Sequence, residues 1–243
     1  MSQIGVVSDI HGNLPALEAV LNSLEKSRVE RIFCCGDIVG YGPWPGLCVR
    51  RIREANPLCV QGNHDAAACA RLPFDHFTPS AQLVIKWTTA HISDKETIYL
   101  RELPAIHTED NLVMVHGSLR GPLWEYISDR WVAAENFSLF NRPLALFGHS
   151  HIQGGFVSLE GKVDLLRPTK EPLKLAPEAK YLINPGSIGQ PRDGDPRAAY
   201  AVVDLLNREV HFKRISYDIN MIKKRILREG LPRDLGDRLS LGR

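Results

Sequence analysis

No stretch of this chain approaches the roughly 20 consecutive apolar residues that a membrane span requires, so nothing in it reads as a transmembrane segment. Strong charge of either sign is also missing. Lys and Arg number 30 against 28 Asp and Glu, a net +2, too mild to argue for nucleic acid or a membrane surface as partner. Cysteine is sparse and unpatterned: Cys34, Cys35, Cys48, Cys59 and Cys69 are odd in number and form no CxxC pair. That excludes a disulfide framework or a zinc ribbon and suits a reducing cytoplasm. The opening MSQIGVVSDIHGN has neither a basic n-region nor a long apolar h-region, and it reads as no signal peptide. The triplet Asn136-Phe-Ser therefore carries no glycosylation meaning.

What is present is an ordinary globular composition, with 44% apolar residues over a length of 243. Such a chain can bury a core without covalent staples. No repeat or linker interrupts it, so the expectation is a single domain over 1–243, with a core over 1–216 and a C-terminal helix and basic tail over 217–243. The tail region carries Lys223, Lys224, Arg225 and Arg228, which read first as a solvated helix face.

Along the chain, short β-branched runs alternate with amphipathic segments. Ile4 to Ser8 reads as a strand. Leu14 to Ser27 places Leu14, Leu17, Val20, Leu21 and Leu24 at helical spacing behind an Asn13 cap. Arg31 to Cys35 is a second strand, Leu47 to Ala55 a helix, Leu58 to Gln61 a third strand. The pattern predicts a parallel sheet with crossover helices. Asp65 to Leu103 reads as mostly helical, with Ser93 and Glu96 spaced as a capping box. Leu112 to Val115 and Leu144 to Phe147 are strands around a helix over Asp129 to Phe140. Phe156 to Leu159 and Lys162 to Leu166 flank a hairpin turn at Glu160-Gly161. Arg167 to Lys180 reads as a long loop, followed by strands over Tyr181 to Ile183, Ala199 to Leu205 and Val210 to Ile215. A helix over Asp218 to Arg228 and a Gly/Pro/Arg tail close the sequence.

Five of the strands end directly in chemistry-bearing residues: Asp9-Ile-His11, Gly36-Asp37, Gly62-Asn63-His64-Asp65, His116-Gly117 and Gly148-His149-Ser150-His151. Ligands of open parallel sheets bind beyond the carboxyl ends of the strands, so five motifs scattered along the chain point to one rim. Asp, His and Asn are donors for manganese, iron, zinc or nickel, and no cysteine is among them. A D-x-H pair offers two side chains to one ion, and a carboxylate with two oxygens can bridge two. Two such ions clamp the attacking and leaving oxygens of an in-line displacement and make hydroxide available near neutral pH.

These five motifs resemble the calcineurin-like metallophosphoesterase superfamily. Gly36-Asp-Ile-Val-Gly-Tyr-Gly-Pro43 and Asn184-Pro-Gly-Ser-Ile-Gly-Gln-Pro-Arg-Asp-Gly-Asp-Pro196 are similar to its small bacterial and archaeal phosphodiesterase branch, and the similarity runs from Ile4 to about Asp204. The resemblance implies an α/β fold: a four-layer α/β/β/α sandwich of two mixed sheets flanked by helices, with the site at their joint edge. It also implies two divalent transition-metal ions, manganese first and iron, zinc or nickel as alternatives. Asp9, His11, Asp37 and His151 would hold one ion. Asn63, His116 and His149 would hold the other, with Asp37 bridging. A water or hydroxide between the ions would be the nucleophile, and His64 the general acid. One departure matters. The protein Ser/Thr phosphatases continue the second motif as GDxxDRG, whose later Asp orients the catalytic His. Here those positions are Gly40 and Tyr41, which argues against that activity and leaves His64 without an identified partner, Asp65 being a candidate by adjacency alone.

The remaining expectations are weaker. Arg192 sits in a loop whose Gly and Pro are explained by turn chemistry, yet its guanidinium suits bidentate phosphate recognition. Tyr41, Trp44, Trp124 and Tyr126 would suit base stacking, although loop packing explains such residues equally well. His76, His91, His107 and His211 fall outside the motifs and read as structural or surface residues. The function expected is a cytoplasmic, metal-dependent phosphoesterase acting on a small phosphorylated substrate, a phosphodiester or a nucleotide. The alternatives are a diadenosine-polyphosphate or nucleotide pyrophosphohydrolase and a non-catalytic scaffold of the same fold.

Overall fold

The computed structural model describes residues 3–243. Twelve strands and eight α-helices follow one another as β1 (Gln3–Val7), α1 (Leu14–Lys26), β2 (Arg31–Cys34), α2 (Pro45–Ala55), β3 (Leu58–Cys59), α3 (Asn63–Ala68), α4 (Pro79–Ala90), α5 (Asp94–Glu102), β4 (Ile106–Thr108), β5 (Leu112–Val115), α6 (Arg130–Phe137), β6 (Leu144–Leu146), β7 (Gly154–Leu159), β8 (Lys162–Leu166), β9 (Leu173–Lys174), β10 (Lys180–Asn184), β11 (Ala198–Asp204), β12 (Glu209–Ile215), α7 (Ile219–Arg228) and α8 (Arg233–Asp237). A 3₁₀ turn over Arg238–Leu241 comes last. Two of the caps, at Asn13 and Ser93, are those that the sequence suggests, and Asp129 adds a third. Asn13 accepts from the amide of Ala16, Asp129 from those of Trp131 and Val132, and the Ser93 amide donates to Glu96 at 2.7 Å.

The strands form two six-stranded sheets, ordered β3-β2-β1-β11-β12-β9 and β4-β5-β6-β10-β7-β8. Each is mixed: β1, β2 and β3 pair in parallel, as do β5, β6 and β10, while the flanking strands pair antiparallel. Strand periodicity sorts side chains between two cores. Ile4, Val6, Phe33 and Cys35 of the first sheet meet Leu112, Met114, Leu144, Leu146 and Ile183 of the second. Their chain neighbours point outward, Val7 and Cys34 toward α1 and α2, Val113 and Ala145 toward α6. Strands buried on both faces read as continuous apolar runs rather than alternating ones. The result is the expected helix–sheet–sheet–helix sandwich, with every parallel strand ending at one rim.

Several local expectations need correction. Arg167 to Lys180 is not wholly loop, because Leu173–Lys174 pairs with β12 as an edge strand. β4 was not anticipated; three residues are too few to show a period. Residues 69–78 lie outside any helix and form a loop that overhangs the rim. The segment read as a Gly/Pro/Arg tail contains α8 and the 3₁₀ turn. Its Leu231, Leu235 and Leu239 pack with Val84 of α4 and with Ile222 and Ile226 of α7. The Glu160-Gly161 turn does close the β7–β8 hairpin, with both φ angles positive at 51° and 82°, as a type I′ turn requires.

Candidate metal centre and active-site cleft

The loops that leave the parallel strands are laced to one another by backbone hydrogen bonds. The amide of Asp9 donates to Gly36 O at 3.0 Å, that of His11 to Asp37 O at 2.9 Å, and that of Gly148 to His116 O at 2.8 Å. The Asn184-Pro-Gly-Ser187 turn braces them from below. Ser187 Oγ donates to Asp9 O at 2.8 Å, and Asn184 Nδ2 to Gly148 O at 2.8 Å. Asp65 has a larger part than adjacency suggested. Its carboxylate accepts from the amides of Asp37 (2.8 Å), Ile38 (2.8 Å), Val39 (3.1 Å) and Gly62 (3.1 Å). It fastens the Asp37 loop to the start of α3 and does not contact the imidazole of His64 by hydrogen bond. Asp9, His11, Asp37, His149 and His151 all adopt positive φ, between 48° and 65°. Each such residue carries about 1–3 kcal/mol of strain, which is characteristic of functional sites.

The structure brings the seven Asp, Asn and His side chains together at this rim, all of them buried. In one group, His11 Nε2 lies 3.1 Å from His151 Nε2, and His151 Nε2 lies 3.2 Å from Asp9 Oδ1. In the other, His116 Nε2 lies 3.0 Å from Asn63 Oδ1 and 3.1 Å from His149 Nδ1. Asp37 stands between them, its Oδ2 3.6 Å from His11 Nε2 and 3.4 Å from His116 Nε2. Its Oδ1 is already taken by the amide of His64 at 2.9 Å. Oδ2 is therefore the oxygen of Asp37 that faces both groups.

The outer contacts of the histidines fix which nitrogen faces inward. His11 Nδ1 meets Val39 O at 3.1 Å, His116 Nδ1 meets Cys35 O at 2.8 Å, and His151 Nδ1 meets Gln190 O at 2.6 Å. His149 is reversed, with Nε2 3.3 Å from Trp124 O. A carbonyl can only accept, so each outward nitrogen carries a proton and the inward nitrogen is the one whose lone pair a cation would take, the orientation that metal-ligating histidines display. Asp9 Oδ2 accepts from the His149 amide at 3.1 Å, while its Oδ1 is buried without a partner. Three sets, Asp9–His11–His151, His11–Asp37–His64 and Asp37–His116–His149, converge closely enough to hold a cation. Donor type, tautomer and the orphaned oxygen all fit divalent transition metals.

Without ions these groups compete for protons. Burial would raise Asp9 and Asp37, but the surrounding histidines hold both below the usual carboxylate range. Burial pushes His64 down to about 4 and His149 down to about 3. His116 goes the other way. Burial disfavours its charge, yet Asp37 and then Asp9 outweigh that and lift it to about 9. Asp65 is raised to about 7 by burial and by the neighbouring Asp37 charge.

His64 is positioned by shape. Its ring sits among Tyr41 (4.5 Å between centroids), Phe77 (5.0 Å) and His11 (4.9 Å). Its Nδ1 is buried with no hydrogen-bond partner and faces Gly40, where even a methyl group would lie 2.5 Å from that nitrogen. Gly40 thus occupies the space that an orienting carboxylate would need.

Above this floor lies a cleft of about 190 Å³, walled by Tyr41, His76, Phe77, Trp124, Tyr126 and Arg192. Tyr126 stacks on His149 at 3.9 Å. His76, expected to be structural or on the surface, lines the cleft through the loop over 69–78, and Trp44 does not line it. Tyr41 is packed inward against His11 and His64, so Trp124 and Tyr126 are the aromatics left to meet a ligand. Arg192 lies over the Tyr41 ring at 5.8 Å and donates from Nη2 to Gln190 Oε1 at 2.9 Å, while its Nε is buried and unpartnered.

The comparisons with known proteins agree with this geometry. An uncharacterized protein of Methanocaldococcus jannaschii, MJ0912, is 40% identical and aligns over 100% of this chain and 99% of its own length. The Escherichia coli K12 phosphodiesterase YfcE is 24% identical, over 84% of this chain and 88% of its own. Among solved structures, a metallophosphoesterase from Sphaerobacter thermophilus superposes with a TM-score of 0.88 at 40% identity, covering 100% of this chain and 99% of that one. The description "Calcineurin-like phosphoesterase superfamily domain" matches residues 2–208, and the chain belongs to that superfamily.

Proposed function

We propose that this protein is a dinuclear metal-dependent phosphoesterase that hydrolyses small phosphodiesters or nucleotide-type phosphate bonds. The observation that carries the reading is Asp37 Oδ2, which faces both donor groups at once from the floor of a cleft. Asp9, His11, Asp37 and His151 would hold one ion, and Asn63, His116 and His149 the other, with Asp37 shared. When bound, two divalent ions, manganese in our reading, polarise the phosphoryl group and lower the pKa of water toward neutrality.

The chain's own residues do the rest. The carbonyls of Val39, Cys35, Gln190 and Trp124 keep four imidazoles in the tautomer that offers lone pairs inward. The cage of Tyr41 and Phe77 holds His64 at the cleft, where it would deliver a proton to the departing oxygen once an anionic substrate offsets the burial that holds its pKa at about 4. Arg192 lines the cleft and offers its guanidinium to a phosphoryl oxygen. A cleft of about 190 Å³ matches a small phosphate ester. Among the described residues no helix is long and apolar enough to cross a membrane. The five cysteines are all free, and we place the protein in the cytoplasm.

Manganese-loaded protein should hydrolyse bis-p-nitrophenyl phosphate, and Asp37→Asn should lower turnover by orders of magnitude. The same assay run on phosphomonoesters and dinucleoside polyphosphates ranks the substrate classes, including the pyrophosphohydrolase alternative. No metal uptake and no hydrolysis of any member of that panel would sink the proposal and favour a scaffold.

A further inference from the structure

The family match ends at residue 208, yet the residues beyond 217 pack behind the wall of the cleft. Ile222, Ile226, Leu231, Leu235 and Leu239 form a small core with Val84, and Tyr41 and Trp44 pack against it. Tyr41 is the surface over which the Arg192 guanidinium lies. The same segment also touches the loop that carries Arg192. The amide of Gly194 donates to Gly242 O at 3.0 Å. Gly242 has φ +63°, and a Cβ there would stand 2.7 Å from Asp195 N and 2.8 Å from Gly194 C. Backbone meets backbone at that point, with no room for a side chain.

The rest of the loop is held independently. The amide of Arg192 donates to His151 O at 3.1 Å, Asp193 pairs with Arg214 and accepts from the Gln153 amide, and Asp195 pairs with Arg197. Both acids of the loop are thereby occupied. Among the described residues Arg192 has no carboxylate within ion-pair distance, and its Nε–H has no acceptor. The guanidinium lines the cleft, so its uncompensated charge faces whatever ligand the cleft holds.

We infer that residues 219–243 are a substrate-positioning element: the Gly242–Gly194 contact and the Tyr41 platform together set the Arg192 guanidinium to take a phosphoryl oxygen of the substrate. Gly242 is a positioning residue and acts through Arg192. Arg238, on the adjoining turn, adds positive charge near Tyr41. Burial dominates the Tyr41 phenol and raises its pKa, and the charges of Arg192 and Arg238 both work against that rise.

This inference rests on the phosphoesterase reading, so its test is a binding measurement that needs no turnover. Inorganic phosphate is titrated calorimetrically into manganese-loaded wild type, Gly242→Ala, a chain stopped after Leu241, Arg192→Ala and the Gly242→Ala/Arg192→Ala double variant. One Gly242 variant inserts a clash and the other removes the contact, so a folding failure in either leaves the other as the test. Each single change should weaken phosphate about tenfold, the scale of one charge-assisted hydrogen bond. The double variant should be no weaker than Arg192→Ala, because the two act through one group. For bis-p-nitrophenyl phosphate, Gly242→Ala should raise KM about tenfold with kcat within twofold and metal content unchanged. Unaltered phosphate affinity in a folded Gly242 variant, or full additivity in the double variant, overturns the inference. Wild type that binds phosphate in this manner but hydrolyses no ester overturns the phosphoesterase reading alone.

Discussion

Replacing Gly40 by alanine probes whether His64 is held by shape. Gly40 has φ +100°, a conformation that a residue with a side chain adopts at about 1–3 kcal/mol. The added methyl would sit 2.5 Å from His64 Nδ1, 2.9 Å from its Cγ and 3.1 Å from its Cβ, well inside van der Waals contact. The ring cannot retreat freely, because Phe77 and His11 stand at centroid distances of 5.0 and 4.9 Å. It must therefore shift or rotate. Overpacking of this kind adds about 1–3 kcal/mol, so Gly40→Ala should lose roughly 2–6 kcal/mol of stability, read by urea denaturation. Displacing a catalytic group by about 1 Å costs on the order of 100-fold in rate, and that loss should depend on the leaving group. p-Nitrophenolate departs with little help, whereas a phenyl or alkyl ester would need the proton that we propose His64 supplies. Turnover of bis-p-nitrophenyl phosphate should then fall about tenfold or less, and that of a phenyl or alkyl diester about 100-fold. Metal content, by elemental analysis, should stay near wild type, and Gly40→Ala/His64→Ala should resemble His64→Ala alone. Equal losses for good and poor leaving groups, or wild-type rates for both, would refute the cage. Gly40→Asp, which supplies the carboxylate of the protein phosphatases, should be worse than alanine.

Three further outcomes follow from the site. His116, lifted to about 9 after the opposing effect of burial, carries a proton at neutral pH that a cation at Nε2 must displace. Manganese binding should release about one proton, read by calorimetry in buffers of different ionisation enthalpy, and affinity should climb with pH until about 9; a pH-independent affinity between 6 and 8 would contradict it. Asp65→Ala strips the acceptor from the amides of Asp37, Ile38, Val39 and Gly62. It should cost about 3–5 kcal/mol in urea denaturation and weaken manganese about 10–100-fold; a loss below about 1 kcal/mol would mean that the loop stands without it. Manganese at about 100 times its Kd should stabilise the wild type by about 2.7 kcal/mol, a rise in Tm of several degrees that Asp37→Asn abolishes and excess chelator reverses.

Much of this was legible because the informative residues come in short strings at strand ends. Asp9-Ile-His11 and Gly148-His149-Ser150-His151 advertise donors, and the alternation of strand and helix assigns them to one rim. Contacts set by tertiary placement were not legible. Nothing in Gly40-Tyr41 says that its neighbour in space is His64 Nδ1, and the four amides held by Asp65 lie in two separate loops. His76 and Phe77 were hidden in a stretch that reads as helix, since loop chemistry there is diluted among apolar residues. The segment beyond 228 is instructive. Its Arg, Gly and Pro residues suggest a tail, yet Leu231, Leu235 and Leu239 recur at intervals of four, the spacing of a buried helical stripe. Composition masked a periodicity that was present.

The energetics of the centre also bear on whether such a chain acts as a hydrolase or only as a scaffold. Five residues with positive φ, an orphaned Asp9 oxygen and facing imidazole nitrogens all oppose stability in the absence of ions. Metal binding can compensate for these, and a metal-bearing scaffold would need nothing more. His64 is different. Its imidazole is buried, with Nδ1 unpartnered, and such a group costs about 1–3 kcal/mol. Its backbone amide already serves Asp37, a service that any residue but proline could render. The side chain adds no hydrogen bond that holds the fold and sits at the cleft beside the shared carboxylate. A phenylalanine would fill the same aromatic cage without leaving a buried nitrogen unsatisfied. If the site were only structural, His64→Phe should stabilise the protein and leave metal affinity intact, with no activity to lose. If it is catalytic, the same substitution should stabilise the fold and still abolish turnover of esters with poor leaving groups, so thermal melting and kinetics on one variant separate the two roles.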